Sequence, residues 1–252
     1  MGLDGLLRAR SQAVHGIVNG IDTEIWNPAD DAHIAQTYTA KHLERRDANK
    51  RAIERRFGLE SGGGLLICIV SRLTLQKGMD LVAGALPTLM QLGGRLAILG
   101  SGDAALEGAL KSAMVNYPGR VGIATAYDEP LSHLLQAGSD AILIPSRFEP
   151  CGLTQLYGLR YGCVPIVARV GGLADTVVDA NDAALSAHAA TGIQFSPVTQ
   201  EALEHALRRT ADLYANRRAW ASLQQAGMKS DVSWTRSAAR YAELYRALLK
   251  GA

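Results

Sequence analysis

Five short apolar runs alternate with helix-like stretches through the middle of this 252-residue chain. Each run has the length of a strand and stays apolar throughout, which is typical of strands buried on both faces of a parallel sheet. The runs cover residues 65–70, 96–99, 121–124, 141–144 and 164–168, and the helix-like stretches cover residues 78–92, 103–115, 129–138, 152–162 and 173–179. The alternation predicts an α/β fold with a doubly wound, Rossmann-like parallel sheet over residues 65 to about 196.

The flanking segments follow other patterns. Residues 1–30 are irregular and carry turn signals such as Asn19-Gly20. Residues 41–57 are highly charged, with apolar positions spaced for one helical face. They predict a solvated helix and not a nucleic-acid-binding arm, because acidic residues interrupt the basic ones. Further helices are predicted at about 199–214, 216–227 and 234–249, the last with an apolar side made of Ala238, Tyr241, Leu244, Tyr245 and Leu248.

Composition and charge exclude several classes of partner. Lysine and arginine number 26 against 24 for aspartate and glutamate, so the net charge of +2 gives too weak a field to attract a nucleic acid or a membrane surface. The three cysteines form no C-x-x-C pair, the first residues lack a signal-peptide pattern, and no apolar run approaches a membrane span. We therefore expect a cytoplasmic protein in which any bound anion is held by local groups.

The loop at residues 145–152 carries an unusual set of side chains. It lies between the fourth apolar run and the next predicted helix, and Arg147, Glu149 and Cys151 alternate along it. Open α/β sheets bind their ligands at the carboxyl ends of the strands, and the free N–H groups of a helix N-terminus attract anions, phosphates above all. The loop therefore predicts an anion site.

Two cations follow the first apolar run. Arg72 and Lys77 flank a strand-to-helix loop and can converge on a diphosphate. Hydrogen bonds to charged groups contribute about 1.5–3 kcal/mol each, against roughly 0.3–1 kcal/mol from a helix dipole. Taken alone, both residues would be read as surface charges; beside the loop at 145–152 they favour a phosphate site. The segment is not a P-loop, because Lys77 precedes Gly78.

Other strand ends add weaker candidates. Tyr127, after the third run, is compatible with stacking on a nucleobase and equally with a partly buried tyrosine. Gly171 and Gly172, after the fifth run, allow close approach of the backbone to a ligand, although a simple strand-to-helix turn needs a glycine as well. Cys68 and Cys163 are interpreted as packing residues.

The segment Gly100-Ser101-Gly102 resembles the start of a dinucleotide-binding fingerprint, but the third glycine is replaced by Ala105. It also follows the second strand of the unit, so a tight turn with Asp103 as helix N-cap is favoured and a nicotinamide-dependent enzyme is a weak alternative. The histidines show no metal-ligand spacing and there is no G-x-S-x-G motif, so metal and serine hydrolases gain no support.

Four segments occur in order along the chain: Asn19-Gly20-Ile21-Asp22, SRLTLQKG at residues 71–78, PSRFEPCGLTQ at residues 145–155 and GGLADT at residues 171–176. Together they resemble the bacterial glycogen synthases and the plant starch synthases, and the resemblance extends from about residue 14 to the end. It implies a retaining glucosyltransferase of the two-domain glycosyltransferase-B architecture. Such an enzyme moves glucose from ADP-glucose to the non-reducing end of an α-1,4-glucan, without a metal or other cofactor.

The resemblance also implies roles for individual residues. Arg72 and Lys77 match the cations that balance the charge on the departing ADP, and Glu149 matches the glutamate that orients the donor glucose and supports its positive charge. These three are the expected catalytic residues. Related transferases carry a second glutamate eight residues after the first, where this chain has Tyr157, so Glu149 is expected to act alone.

The implied substrate-binding residues lie around the same loops. Cys151 and Gly152 belong to the donor loop, and the N–H groups of Leu153 and Thr154 are expected to reach phosphate. Tyr127 is expected to lie against adenine. The glycine pair Gly171 and Gly172 is expected to border the donor pocket.

Members of this family begin with another Rossmann-like domain that carries a Lys-Thr-Gly-Gly-Leu loop, the acceptor groove and catalytic Asp and His residues, and none of these is found here. We therefore expect this chain to be the C-terminal, donor-binding half and inactive by itself. Residues 1–30 are expected to be a hinge, 31–233 the nucleotide-sugar domain and 234–252 a crossover helix. The apolar face of that helix is expected to be exposed, which favours self-association.

Two alternatives stay open at this point. The first is a non-catalytic module that binds a sugar nucleotide or a glucan, and the second is a Rossmann-domain epimerase or dehydrogenase that binds NAD. The choice between ADP-glucose and UDP-glucose also stays open, since it depends on the pocket around Tyr127.

Overall fold

The computed structural model of the protein describes residues 2–250. Its centre is one sheet of six parallel strands in the order β3-β2-β1-β4-β5-β6. The strands are β1 (Leu66–Val70), β2 (Arg95–Leu99), β3 (Val121–Ala124), β4 (Ala141–Ile144), β5 (Val164–Ala168) and β6 (Ile193–Phe195). The predicted doubly wound α/β fold is confirmed. The strand order reverses between β1 and β4, and ligands of such sheets bind at the crevice that this reversal opens.

Helices cover both faces of the sheet. They are α1 (Asp4–Ala9), α2 (Arg46–Phe57), α3 (Met79–Gln91), α4 (Ala104–Asn116), α5 (Glu129–Gly138), α6 (Thr154–Tyr161), α7 (Gly171–Thr176), α8 (Asp182–Ser186), α9 (Gln200–Ala215), α10 (Arg217–Lys229) and α11 (Trp234–Lys250). Short 3-10 turns occupy Ser11–Ala13, Leu43–Arg45 and Leu75–Lys77. Most predicted helices are found within a few residues of their expected ends.

Four points of the sequence-based prediction are corrected by the structure. The sequence pattern missed β6, because a three-residue strand with Gln194 at its centre has no apolar run; it forms by pairing with β5, where Ile193 lies opposite Ile166. It also missed the short helix α8, and it placed the helix after β5 too late, since α7 begins at Gly171. Residues 1–30 are not irregular throughout, because α1 lies within them.

The two faces of the sheet bury alternate residues of the same strands. In β1, Ile67 and Ile69 belong to the large apolar core, whereas Leu66 and Cys68 pack in a second core on the opposite face. This period of two is what a fully covered parallel strand requires. Cys68 and Cys163 are fully buried in the second core, which agrees with their interpretation as packing residues.

The segment before α2 contributes to a third core. Ile21, Trp26 and Tyr38 are buried with Tyr161 of α6, and Ile21 also bridges Ser233 through the backbone. Residues 21–38 are therefore packed against the sheet domain.

The last helix leaves apolar side chains in solvent, as predicted. Tyr245 is 60% exposed and Leu249 is 81% exposed. Self-association through this face stays a prediction. No helix in the described part of the chain combines the length and the apolar character that crossing a membrane requires.

Charges at the amino edge of the sheet are buried and mutually paired. Glu54 of α2 accepts hydrogen bonds from Arg95 at the start of β2 and from Arg51. Asp140 Oδ2, just before β4, accepts from Lys50 Nζ at 2.6 Å and from the backbone N–H of Leu66 at 2.7 Å. These contacts bind α2 to the strand starts.

Candidate functional site

The loops after β1 and β4 meet at the strand-order reversal. Thr74 Oγ1 accepts from the backbone N–H of Lys77 at 3.3 Å and stabilises the 3-10 turn that carries this lysine. Gly78 then turns the chain into α3 with φ of 72°, and a Cβ at this position would lie 2.1 Å from the carbonyl oxygen of Pro145. Glycine is therefore required here both for the backbone angle and for the close approach of the two loops.

Lys77 and Glu149 face each other across this crevice. Lys77 Nζ lies 2.5 Å from Glu149 Oε2, and Ser146 Oγ donates to the same oxygen at 3.1 Å. The side chains are 18% and 12% exposed, so the ion pair is largely shielded from water. Within the described residues Glu149 Oε1 accepts no hydrogen bond, which leaves it available to a ligand.

Arg72 lies in the loop directly after β1 and is exposed, and its guanidinium forms no ion pair with the described residues. It lines a cavity of about 380 Å³ above the carboxyl ends of β1, β2 and β3. A smaller cavity of about 20 Å³ contains Lys77 and Glu149. The linings of the two cavities share Val70, Ser71 and Thr154, so the cavity lined by Arg72 adjoins the one lined by Lys77.

The start of α6 presents free backbone donors to this crevice. Neither Leu153 N–H nor Thr154 N–H donates a hydrogen bond within residues 2–250, as expected for the first turn of a helix. Gly152 precedes them with φ of 72°. The helix N-terminus therefore offers two N–H groups and a positive dipole end to an anion.

Gln155 fixes the shape of this loop, and the sequence analysis gave it no role. It is fully buried, and its Nε2 contacts the carbonyl oxygens of Cys151 at 3.0 Å and Gly152 at 2.9 Å and Thr176 Oγ1 at 3.1 Å. An amide side chain on the buried side of a helix must find such partners. The position of Gln155 shortly after the loop at residues 145–152 was the one feature of the sequence that could have indicated this role.

The glycine pair packs against the loop that carries Glu149. A Cβ at Gly171 would lie 2.2 Å from the carbonyl oxygen of Glu149, and one at Gly172 would lie 2.2 Å from that of Cys151. Gly172 N–H also donates to Glu149 O at 3.1 Å. The close approach is thus to the chain's own backbone, and contact of the pair with a ligand stays a prediction.

Cys151 connects this loop to the N-terminal segment. The backbone N–H of Asn19 donates to Cys151 Sγ at 3.2 Å, and the thiol is half-buried. Cys151 and Asn19 come from two of the motifs that carry the resemblance, and the fold places them in contact.

Tyr127 stands at the rim of the larger cavity. It is 89% exposed, which excludes the interpretation as a partly buried tyrosine. Its hydroxyl donates to Glu129 Oε2 at 2.9 Å, and this hydrogen bond raises the pKa of the phenol. Its ring is therefore largely exposed and available for stacking.

A stack of aromatic rings that sequence reasoning missed also lines the larger cavity. Tyr157 and Trp26 both line it, and their ring centroids are 3.6 Å apart at 16°. Trp26 lies in turn on His133, with centroids 3.7 Å apart. Burial raises the pKa of Tyr157. The signal for Trp26 was hidden because residues 1–30 were interpreted as a hinge.

A buried acid supports this stack from behind. Asp31 Oδ2 lies 2.8 Å from His133 Nδ1 and accepts from the hydroxyl of Tyr161 at 2.5 Å. Burial raises the pKa of Asp31, but the hydrogen bonds with His133 and Tyr161 outweigh it, so the pKa lies below its usual value. The network fixes the ring of His133 beneath Trp26.

The turn after β2 has no dinucleotide geometry. Asp103 caps α4 as predicted, with its Oδ1 accepting from Ala105 N–H at 2.9 Å and Leu106 N–H at 3.1 Å. A Cβ at Gly100 would lie 1.8 Å from the carbonyl oxygen of Ser71, so this glycine is needed for packing against the loop after β1. Within the described part of the chain, no group of three or more His, Cys, Asp and Glu side chains is arranged to hold a metal ion.

Comparison with known proteins identifies the family of the chain. Residues 50–224 match the family model described as "Glycosyl transferases group 1". The chain belongs to this family. This group 1 glycosyl transferase is 61% identical to glycogen synthase 1 of Rhizobium meliloti (strain 1021) over 249 residues, which are 99% of this chain and 52% of that protein. Glycogen synthase 1 of Rhizobium radiobacter is 58% identical over the same coverage. The chain thus spans about half the length of the curated relatives it matches.

Solved structures agree with this kinship. The catalytic domain of starch synthase IV from Arabidopsis thaliana, bound to ADP and acarbose, has a TM-score of 0.90 at 35% identity, covering 98% of this chain and 51% of that chain. Sucrose-phosphate synthase from Thermosynechococcus elongatus has a TM-score of 0.67 at 20% identity, covering 99% of this chain and 57% of its own, and shows the shared fold. The predicted resemblance to glycogen and starch synthases and the glycosyltransferase-B type of fold are confirmed.

Proposed function

We propose that this chain is the donor-binding half of a glucosyltransferase. The proposed reaction transfers glucose, with retention of configuration, from ADP-glucose to the non-reducing end of an α-1,4-glucan. Two findings support it: relatives at about 60% identity are glycogen synthases, and the starch synthase neighbour is bound to ADP. Since the chain spans about half of those relatives, we assign the acceptor glucan to the half that is not represented here, and the complete enzyme to the cytoplasm.

The observation that carries the proposal is the meeting of Lys77 and Glu149 at the reversal between β1 and β4. One ammonium and one carboxylate at this point suit a ligand that has an anionic and an electron-poor end. In a nucleotide sugar, these are the diphosphate and the anomeric carbon. Lys77 then binds the diphosphate, and the Glu149 carboxylate supports the positive charge that develops on glucose as the bond breaks.

The surrounding groups complete the proposed diphosphate site. The exposed guanidinium of Arg72 supplies a planar pair of donors, and Leu153 N–H and Thr154 N–H supply two more at the start of α6. As ADP departs it gains negative charge, and donors that are already oriented stabilise this charge without reorganising. These groups account for the anion's charge with side chains and backbone alone, so we propose a reaction that uses no metal ion.

The proposed nucleoside site is the larger cavity. Tyr127 offers an open ring face at its rim, and Tyr157 lines its wall, held by the stack on Trp26. Aromatic rings stack on bases with roughly 1–3 kcal/mol per base, whichever base is present. Stacking alone therefore does not choose adenine over uracil; we propose adenine because of the ADP-bound neighbour.

Titration calorimetry with ADP tests the proposed site. Wild type is expected to bind, and Arg72→Ala and Lys77→Ala are each expected to weaken binding about 10- to 100-fold, the value of one lost charge-assisted hydrogen bond. Arg208→Ala is the control, because in the described part of the chain this arginine forms its one ion pair with Glu204 on α9. Unchanged affinity in both site variants would contradict the assigned phosphate site.

Transfer tests the proposed reaction. The chain would be mixed with the separately produced N-terminal half of the Rhizobium meliloti relative, labelled ADP-glucose and glycogen. We expect label in the polymer, no label with Glu149→Gln, and no effect of EDTA. ADP binding without any restored transfer would favour a non-catalytic module that binds sugar nucleotides.

A further inference from the structure

Arg147 lies in the same loop as Glu149 and has the chemistry of a phosphate ligand, but its guanidinium is engaged elsewhere. Nη1 donates to Asp80 Oδ1 and to the carbonyl oxygen of Leu75, both at 2.7 Å. Nη2 donates to Asp80 Oδ2, also at 2.7 Å. The arginine thus forms a two-pronged ion pair with the first turn of α3 and a third bond to the turn before it.

All of these contacts cross the reversal of the strand order. Arg147 belongs to the loop after β4, whereas Leu75 and Asp80 belong to the segment after β1. The backbone N–H of Arg147 adds a bond to the carbonyl oxygen of Gln76 at 2.9 Å. The partners lie on both sides of Lys77 in sequence, and Glu149 follows Arg147 by two residues. The contacts therefore connect the two segments that carry the proposed site.

The sheet itself does not hold these segments together. Pairing between β1 and β4 comprises Ile67 with Ala141 and Cys68 with Ile142. Beyond Cys68 the two strands continue without a ladder between them, as expected where a crevice opens at a switch point. The distance between Lys77 and Glu149 must then be set by contacts between the loops.

We propose that Arg147 and Asp80 form a positioning pair, which holds Lys77 and Glu149 at the separation that a sugar diphosphate requires. The pair acts through the loops and not on the ligand. This inference rests on the proposed function, since it names the contact that keeps the two loops of that site in position. Arginine suits the task because its planar fork meets both carboxylate oxygens at once, which a lysine ammonium does not do.

The competing interpretation is that Arg147 binds phosphate directly and pairs with Asp80 only while no ligand is bound. The two interpretations predict opposite effects of Asp80→Asn. If Arg147 were a ligand, removing a carboxylate near the anion would strengthen ADP binding, because it deletes a repulsion and frees a cation. If the pair positions the loops, the same change weakens ADP binding although it makes the site more positive.

The test measures ADP affinity by calorimetry in wild type, Asp80→Asn, Arg147→Ala, Arg147→Lys and the double variant. Each single change is expected to weaken binding about three- to tenfold. The double variant Asp80→Asn with Arg147→Ala is expected to bind no more weakly than the single variant with the lower affinity, because both changes remove the same coupled contact. Glu204→Gln, which removes a half-buried acid paired with an arginine on α9, is expected to bind like wild type. Asp80→Asn binding as tightly as wild type or more tightly would overturn the proposal, as would an additive double variant.

Hydrogen exchange of the same variants separates failure of this inference from failure of the proposed function. In Arg147→Ala and Arg147→Lys we expect faster exchange at amides of residues 75–80 and 145–152 together, and unchanged exchange in the core of β1. This readout needs no nucleotide, so it decides the pair even if wild type does not bind ADP. Exchange that is unchanged in either segment would overturn the proposal.

Discussion

The two edges of the sheet differ in how completely their charged groups are paired within the protein. At the amino edge, Glu54 lies between Arg95 and Arg51, and Asp140 binds Lys50, so buried charges satisfy one another. At the carboxyl edge, Lys77 pairs with Glu149 and Arg147 with Asp80. Within the described residues, however, Arg72 has no ion-pair partner and two N–H groups at the start of α6 have no acceptor. The difference separates charges that stabilise the fold from charges that are left for a ligand.

The buried cations at the amino edge form many further hydrogen bonds. Arg95 also donates to the carbonyl oxygens of Glu60, Gly62 and Gly64, and Lys50 also donates to Gly64 and to the hydroxyl of Tyr214. Buried ion pairs are not strong sources of stability in themselves, but removing one partner leaves a buried charge without compensation. Substitutions at this edge are therefore expected to affect folding, and substitutions at the other edge to affect binding.

The largest effect is expected from Glu54→Gln. It leaves the buried guanidinium of Arg95 without its counter-charge, so we expect the free energy of unfolding to fall by about 3–5 kcal/mol. Glu149→Gln is the matched change at the carboxyl edge. It breaks a pair whose side chains are 18% and 12% exposed, against 4% and 1% for Arg95 and Glu54, so we expect a smaller loss of about 1–2 kcal/mol. Urea denaturation at pH 7 measures both. Equal losses would remove the distinction between the edges.

A smaller effect is expected from Asp31→Asn, which weakens the support behind the aromatic stack. Loss of hydrogen bonds to a charged group should lower the unfolding free energy by about 1.5–3 kcal/mol at pH 7. Because the pKa of Asp31 is lowered by folding, the unfolded state binds more protons, and the carboxylate's contribution is complete above about pH 4 and is lost as pH falls through the folded-state pKa. Wild-type and variant stability curves should therefore converge in acid. Curves that stay parallel down to pH 3 would show that Asp31 does not act through its charge.

At the carboxyl edge, Tyr157→Ala is expected to weaken ADP binding by about tenfold, because it removes the ring that lines the nucleoside cavity. Tyr157→Phe keeps the ring on Trp26 and should bind within about threefold of wild type. Tyr245→Ala on the exposed face of α11 is the control. Calorimetry with ADP measures the affinity of all three variants. Equal affinity of Tyr157→Ala and wild type would show that Tyr157 does not contribute to the nucleoside site.

The smallest effect on stability is expected from Arg72→Ala, the change of an exposed cation that has no ion-pair partner among residues 2–250. Its unfolding free energy should stay within about 0.5 kcal/mol of wild type, as for other surface substitutions, although its ADP affinity falls. Thermal and urea unfolding check this directly. A loss of more than about 2 kcal/mol would mean that Arg72 has a structural partner and belongs with the amino-edge charges.

The sequence pattern predicts those parts of the molecule that depend on local order. Continuous apolar runs identify β1 to β5, but β6 has Gln194 at its centre and forms through its neighbour β5. Arg72, Lys77 and Glu149 are recognisable because each follows the end of a predicted strand, and such ends meet at one edge of a parallel sheet. No tertiary contact is needed for that inference.

The contacts that hold the site together are not visible in the same way. Arg147 meets Asp80 across 67 residues, and Gln155 reaches Thr176 across 21. Trp26 reaches the site from a segment with no periodic pattern, through its stack on Tyr157. These partners become recognisable only when the strand order has brought distant loops together, so the residue types predict the chemistry of the site but not its supports.

A crystal structure of the chain with ADP tests the central claim most directly, because it shows which edge of the sheet receives the anion. We expect the diphosphate between Arg72 and Lys77, with Thr154 N–H within hydrogen-bond distance of a phosphate oxygen and the adenine in the cavity between Tyr127 and Tyr157. A diphosphate bound at any other place, with Arg72 and Lys77 making no contact to it, would contradict the account.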